Sequence, residues 1–446
     1  MGRSLSAYTM LNSDCEVKTM RLFREMPPVM NVSSEGLIRP QARTLVGFRP
    51  IPGALVTLRD MNGTILEQVR TDESGNAPLL EVPTPPLEYS LEPDSPQPYA
   101  QYTLTLEGEG VQTVTVEGTQ VLPGEITLQQ LTAIDTATAD LVSPVPVADE
   151  PLITIGPSTL YGNYPPKEPE SSVKPLNPDD GFVVLNEVVI PEYIVVHDGT
   201  PSSNAQNYWV PYASYIANVA SSEIYSTWEE AAITANVLAI LSFTLNRVYT
   251  EWYRSKGYDF TITSSTAYDH KFIYGRSIYE NIAQVVDSVL TNYVTRPGIE
   301  QPLLTQYCDG RQVSCPNWMT QWGSQYLATQ GYNAVSILRY YYGADIYLET
   351  ANRVSGVPSS FPGYNIQEGS RGTDVRTIQR QLNAIAKNYP AIPTVAVDGI
   401  FGPATKASVQ KFQDVFNLPP NGIVDYPTWY RLSQIYVAVT RIAELN

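Results

Sequence analysis

The stretch "YIANVASSEIYSTWEEAAITANVLAI", residues 215–240, carries the carboxylate of Glu223 among Val, Ala, Ser, Ile and Tyr. Apolar surroundings disfavour the charged form and hold the proton above the ~4.3 of a free glutamate, which suits proton transfer near neutrality. The competing reading of any single glutamate is a solvated or helix-capping carboxylate. Glu229 and Glu230 read as that kind of residue. Cys308 and Cys315, in "CDGRQVSC", stand close enough to suggest metal ligands. A zinc site wants about four ligands, however, and the two histidines, His197 and His270, stand apart. No metal or cofactor is expected, and the pair reads as a disulfide or two buried thiols. Asp269-His270 has no Ser or Cys nucleophile motif beside it and reads as surface or structural. Near the end of the chain, Asp398-Gly399 and Gly402 allow a tight loop with exposed backbone N–H groups, which together with Phe401 could form a groove.

The elements around these residues are legible from periodicity. "STWEEAAITANVLAILSFTLNRVYTEWYRSKG" reads as a helix, with Thr227 and Glu230 as a capping box, apolar residues at three and four spacing, and Gly257 as its stop. Helices are also expected in "IYENIAQVVDSVLTNYV", "WGSQYLATQGY" and "NAVSILRYYYG", with a strand at "EYIVVHDG" ahead of them. Upstream, "ALVTLRD", "TILEQVRT", "QYTLTLEG", "VQTVTVEG" and "EITLQQL" alternate apolar and polar residues between Asn-Gly and Ser-Gly turns, which predicts an antiparallel sandwich. Residues 136–190 are dense in proline without apolar repetition and read as a semi-rigid linker. The tail holds three helix patterns opened by Gly, Asp or Pro, the text of a small helical bundle.

The expected order is therefore a leader over 1–34, a β-sandwich over 35–135, a linker over 136–190, a mixed α/β unit over 191–352, a second linker over 353–363 and a helical bundle over 364–446. The leader has no clear period and reads as disordered, or as the product of a start called too early, with Met30 the alternative. A net charge of -17, from 28 Lys plus Arg against 45 Asp plus Glu, and the lack of a basic run argue against nucleic acid as a partner. The text shows neither a secretory h-region nor 18 or so consecutive apolar residues to span a bilayer. The 30 Tyr suit a sugar-binding face, but Tyr is also a common strand residue.

Three resemblances sharpen this outline. "GSRGTDVRTIQRQLN", "DGIFGPATKASVQKFQ" and "NGIVDYPTW" resemble the type 1 peptidoglycan-binding domain, which implies an all-α three-helix bundle with ligand contact around Asp398, Gly399, Phe401, Gly402 and Thr405. Phe412 and Trp429 read as its core. "PGALVTLRDMNGTILEQVRTDESGNAPL" loosely resembles the carboxypeptidase-regulatory-like or Cna-B-like sandwich modules, usually spacers or adhesion units. "YIANVASSEIYSTWEEAAITANVLAILSFTLNR" and "MTQWGSQYLATQGYNAVSILRYYYG" resemble the stage II sporulation protein D family of peptidoglycan lytic transglycosylases, whose fold also occurs in amidase enhancers. That resemblance makes Glu223 the catalytic acid/base and places Gln321 in the cleft, with Tyr307, or Tyr268, as a sugar contact. It implies peptidoglycan glycan and stem peptide as partners, a wall amidase as a further partner, and a wall or spore location. Export of a chain without a signal peptide, made in the mother-cell cytoplasm, is left open. The alternative is a non-catalytic wall-binding or spore-surface protein or an amidase activator.

Overall fold

A computed structural model describes residues 34–440 apart from 46, 137–151, 174–186, 352 and 355–360. The leader, the Met30 alternative and Cys15 lie outside the described residues.

Strands β1 (Ser34–Thr44), β2 (Leu55–Arg59), β3 (Ile65–Arg70), β4 (Leu80–Thr84), β5 (Ala100–Glu107), β6 (Val114–Val121) and β7 (Ile126–Ala133) build the first part. They form two sheets, which β8 (Leu152–Thr154) and β13 (Ile278–Tyr279) extend to the orders β3-β2-β5-β6-β8 and β13-β7-β1-β4. Alternation along each strand turns Ile38, Val56, Leu80, Leu104, Val116 and Leu131 into one shared apolar core between the sheets. β1 pairs with β7 in parallel, a departure from the antiparallel expectation that follows from their distance along the chain. β8 comes from the proline-rich stretch read as a linker. Between β4 and β5 runs the short helix α1 (Glu88–Leu91).

The central part opens with β9 (Val189–Ile190), β10 (Tyr193–His197) and β11 (Asn207–Pro211). Helix α2 (Tyr212–Glu223) and helix α3 (Glu230–Tyr249) follow, then β12 (Ile262–Thr263). α3 is apolar on nearly all sides and buried over most of its length by the surrounding fold, so it packs as a core helix. Its start differs from the capping-box reading. Glu229 occupies the N-cap position without a side-chain bond, and the Thr227 hydroxyl donates instead to the Ser90 hydroxyl of α1, at 2.8 Å. Trp228 Nε1 donates to the Ser90 carbonyl, so tertiary partners take both side chains. The helix also ends at Tyr249; Gly257, at φ 80°, closes a later 3-10 turn. Helix α4 (Glu280–Val289), β14 (Asn292–Thr295), β15 (Tyr307–Cys308), β16 (Met319–Thr320), α5 (Gln321–Thr329), α6 (Ala334–Tyr342), β17 (Tyr347–Thr350) and β18 (Arg353–Val354) complete this part.

The C-terminal bundle has α7 (Thr373–Ala386), α8 (Pro403–Val415) and α9 (Tyr426–Thr440) around Ile378, Leu382, Phe412 and Trp429. It is held on both neighbours. The Tyr389 hydroxyl donates to the Phe48 carbonyl at 2.5 Å, and Arg431 pairs with the buried Asp287 of α4 at 2.6 Å. Arg39 of β1 pairs with Glu280 of α4 at 2.8 Å. From Ser34 onward the described chain packs as one compact unit.

Candidate active site around Glu223

Glu223 is the last residue of α2 and is fully buried, with no exposed area. The helix places it because its neighbours anchor the following loop. Asn218, one turn back, clamps Ile273 through both backbone groups, at 2.8 and 3.1 Å, and Ser221 Oγ accepts from the Tyr279 N–H. That clamp lays residues 269–273 across the end of α2, where the Lys271 N–H donates to Glu223 Oε1 at 2.6 Å. The other oxygen, Oε2, accepts from Gln321 Nε2 at 3.3 Å. Residues 98 apart in sequence thus meet, because β15 and β16 pair in parallel and set Tyr307 beside Met319 and Cys308 beside Thr320, the residue directly ahead of Gln321. The Tyr307 hydroxyl lies close enough to the carboxylate to favour its charge, though outside the geometry of a full hydrogen bond.

Burial raises the Glu223 pKa above the ordinary carboxyl value. Lys167, Tyr307 and the Lys271 N–H oppose that rise without cancelling it. The carboxyl therefore holds its proton to a higher pH than a free glutamate does, the direction that suits a proton donor.

A polar base supports it. Asp269 and His270, both fully buried, are structural groups rather than surface ones. Asp269 accepts from Arg247 Nε at 2.9 Å, from the Tyr253 hydroxyl at 2.6 Å, and from the Thr263 N–H and hydroxyl at 3.0 and 2.7 Å. His270 shares a hydrogen bond with the Tyr215 hydroxyl at 3.0 Å and stacks on the Tyr307 ring. Burial drives its pKa well down, so it stays neutral.

Two site residues escaped the sequence reading. Tyr164 and Lys167 come from the stretch read as a linker and lie over the site, with Lys167 Nζ 5.5 Å from the Tyr307 ring centroid and 5.9 Å from that of Tyr164. Lys167 Nζ also donates to the Asp269 carbonyl at 3.2 Å. No periodicity marks such a segment, and tertiary packing alone brings it here. Tyr268 is half-buried on the adjoining loop. Cys308 and Cys315 form a disulfide. Among the described residues there is no cluster of three or more His, Cys, Asp or Glu able to hold a metal.

In the C-terminal bundle, Phe401 and Thr405 are buried, at 1% and 3% exposure, while Asp398, Gly399 and Gly402 line the loop ahead of α8. Gln379 ties that loop together. Its Nε2 donates to Asp398 Oδ1, the Ile400 carbonyl and Thr405 Oγ1, and its Oε1 accepts from the Gly399 N–H. Gln413 repeats the pattern on Asn421, Ile423, Thr428 and Gly422. Gly399 and Gly422 have φ 78° and 75°, the left-handed backbone such a turn demands. The matching spacing, Asp398 to Thr405 and Asn421 to Thr428, was the sequence signal for this internal repeat.

Residues 371–432 match the family described as a peptidoglycan binding domain. Over 71 residues the chain is 39% identical to the zinc D-Ala-D-Ala carboxypeptidase of Streptomyces albus G, covering 16% of this chain and 26% of that one. Over 68 residues it is 41% identical to an uncharacterised protein of Kitasatospora aureofaciens, covering 15% of this chain and 53% of that one. Thus the chain spans about a quarter and about half of these relatives. The crystal structure of the SleB N-terminal domain is 34% identical, covering 16% of this chain and 93% of that one, with a TM-score of 0.15. Residues 371–432 of the C-terminal bundle thus carry a peptidoglycan-binding domain.

Proposed function

We propose that the central part is a lytic transglycosylase of the stage II sporulation protein D type, brought to its glycan by the C-terminal domain. The observation that carries this reading is the meeting of its two separated motifs: Glu223 from the "SSE" segment accepts a hydrogen bond from Gln321 of the "TQWGS" segment, in a buried setting that raises its pKa. In the proposed reaction Glu223 protonates the glycosidic oxygen between N-acetylmuramic acid and N-acetylglucosamine. The muramoyl C6 hydroxyl then attacks the oxocarbenium-like carbon, its proton passes to the same Glu223, and a 1,6-anhydro end forms. One carboxyl serves both transfers, so no second acid is required. The Tyr307 and Gln321 side chains would meet sugar hydroxyls, and the loop Asp398–Thr405 would contact the wall polymer. Binding by the C-terminal domain raises the local glycan concentration at the central site.

A second reading has its own support. Glu223 has no exposed area, which suits a non-catalytic wall-binding protein or an amidase activator that keeps the fold without turnover. Digestion of purified sacculi separates the two. The wild-type chain should release anhydro-muropeptides in at least one redox state of its disulfide, while Glu223→Gln should release none in either state and still bind the wall. Undiminished release by Glu223→Gln refutes the catalytic assignment, and wall binding without products in either redox state favours the second reading.

A further inference from the structure

Over Glu223 runs an arch of largely irregular chain, residues 158–170, whose Tyr164 and Lys167 stand within electrostatic reach of the carboxyl. The arch is pinned at both ends. At one end the Thr159 N–H and hydroxyl both donate to the Ser222 carbonyl, at 2.9 and 3.0 Å. At the other the Glu168 N–H donates to the Ala267 carbonyl, and Glu170 pairs with Arg247. Between these ends Leu160 and Tyr164 are buried and Lys167 donates to the Asp269 carbonyl, while the backbone of the middle is held by one exposed side chain. Gln312 accepts from the Tyr164 N–H at 3.0 Å and donates to the Gly162 carbonyl at 2.9 Å.

Gln312 sits in the ring closed by the Cys308–Cys315 disulfide, whose first cysteine follows Tyr307 directly. Inside that ring the buried Asp309 carboxylate accepts from the Gln312 and Val313 N–H groups, so the ring's shape fixes where the Gln312 amide points. With the arch down, the buried Tyr164 hydroxyl, Tyr307 hydroxyl and Gln321 Oε1 have no hydrogen-bond partner. Buried polar atoms left unmet are costly, and here they surround one carboxylate. The closed form therefore leaves unsatisfied the groups that a polyhydroxylated ligand would satisfy.

We propose that residues 158–170 are a cover over the Glu223 site and that the Cys308–Cys315 ring is its latch, released by a dithiol reductant. This rests on Glu223 being the working group of the site. The half-buried Cys315 sulfur is the accessible one. A reductant thiolate attacks Cys315 Sγ, the S–S bond breaks, and Cys308 leaves as a thiolate that takes a proton. The second reductant thiol, as its thiolate, attacks the mixed disulfide, expels the Cys315 thiolate, which is protonated in turn, and leaves as the reductant's own disulfide. Two electrons and two protons have then passed to the protein. The freed ring no longer fixes Gln312, the middle of the arch lifts, and Tyr164 and Lys167 move away from Glu223.

The test reads exposure and not turnover. The full chain is labelled at carboxyl groups with a carbodiimide and an amine, oxidised and after reduction, and Glu223 and Asp269 are quantified by peptide mass spectrometry. Reduction should raise labelling at Glu223 by about tenfold or more while Asp269, buried beneath it, stays unlabelled. Gln312→Ala, which keeps the disulfide and changes an exposed residue, should do the same without reductant. Protection of Glu223 in both cases, with native circular dichroism, overturns the cover. Labelling in Gln312→Ala but not on reduction overturns the latch, and labelling of Asp269 together with Glu223 shows general unfolding and overturns both. Exposure of Glu223 without anhydro products leaves the cover standing and removes the catalytic reading.

Discussion

Replacing Asp269 with Asn strikes the polar base that carries the Glu223 site. Arg247 and Asp269 are an enclosed ion pair, their side chains 2% and 0% exposed. Removing one member of a buried pair costs about 3–5 kcal/mol, because the remaining charge stays desolvated. Two features of this protein bear on the figure. Arg247 keeps a second carboxylate, Glu170, at 2.8 and 3.1 Å, which offsets part of the loss. Against that, one Asp269 oxygen, Oδ2, receives the Tyr253 hydroxyl and both Thr263 groups, so an asparagine that keeps them on its carbonyl turns its amide NH2 toward Arg247 Nε, donor against donor. Lost hydrogen bonds of this kind cost about 1 kcal/mol each. The two corrections roughly cancel, so Asp269→Asn should lose about 3–5 kcal/mol in urea unfolding of the full chain. Glu170→Gln, whose carboxylate is 36% exposed, should lose under about 1 kcal/mol. The Asn variant should also loosen Thr263 and residues 269–273, visible as faster amide exchange at Lys271. Equal costs for the two variants, or unchanged exchange at Lys271, would refute the view that this pair organises the site.

Two further outcomes follow from the same packing. Gln379→Ala and Gln413→Ala should each lose about 2–3 kcal/mol in urea unfolding, since each leaves several loop groups unmet, and a loss below about 0.5 kcal/mol would show the repeat to be incidental. Burial, with Glu280 nearby, lifts Glu125 to about 7, so the folded state holds a proton there that the unfolded chain has released. Its contribution is full below the ordinary glutamate range and fades as pH rises to about 7. Glu125→Gln should therefore raise the melting temperature more at pH 8 than at pH 5, and an equal effect at both would count against it.

The apolar and polar alternation of residues 35–135, the helical period of α3, and the Gly and Asp punctuation of the tail were readable because each reflects local geometry. Strands repeat every two residues, helices every 3.6, and left-handed turns call for glycine. The same local logic failed at Thr227 and Glu230, where a capping box was overridden by contacts with Ser90, far off in sequence. It also could not show that Cys308 and Cys315 are joined, since their spacing alone suits free thiols as well.

The candidate site divides along the same line. The residue types at Glu223 and Gln321, and the motifs holding them, were present in the sequence. What tertiary structure decided was the company they keep: the parallel pairing of β15 with β16 that brings Gln321 to Glu223, the buried Arg247–Asp269 base, and the arch carrying Tyr164 and Lys167. An apolar neighbourhood in sequence suggests a raised pKa, but desolvation is a property of volume. Only the folded chain, by closing Lys167, Lys271, Tyr307 and Gln321 from four other segments around one carboxyl, excludes the water that would otherwise favour its charge.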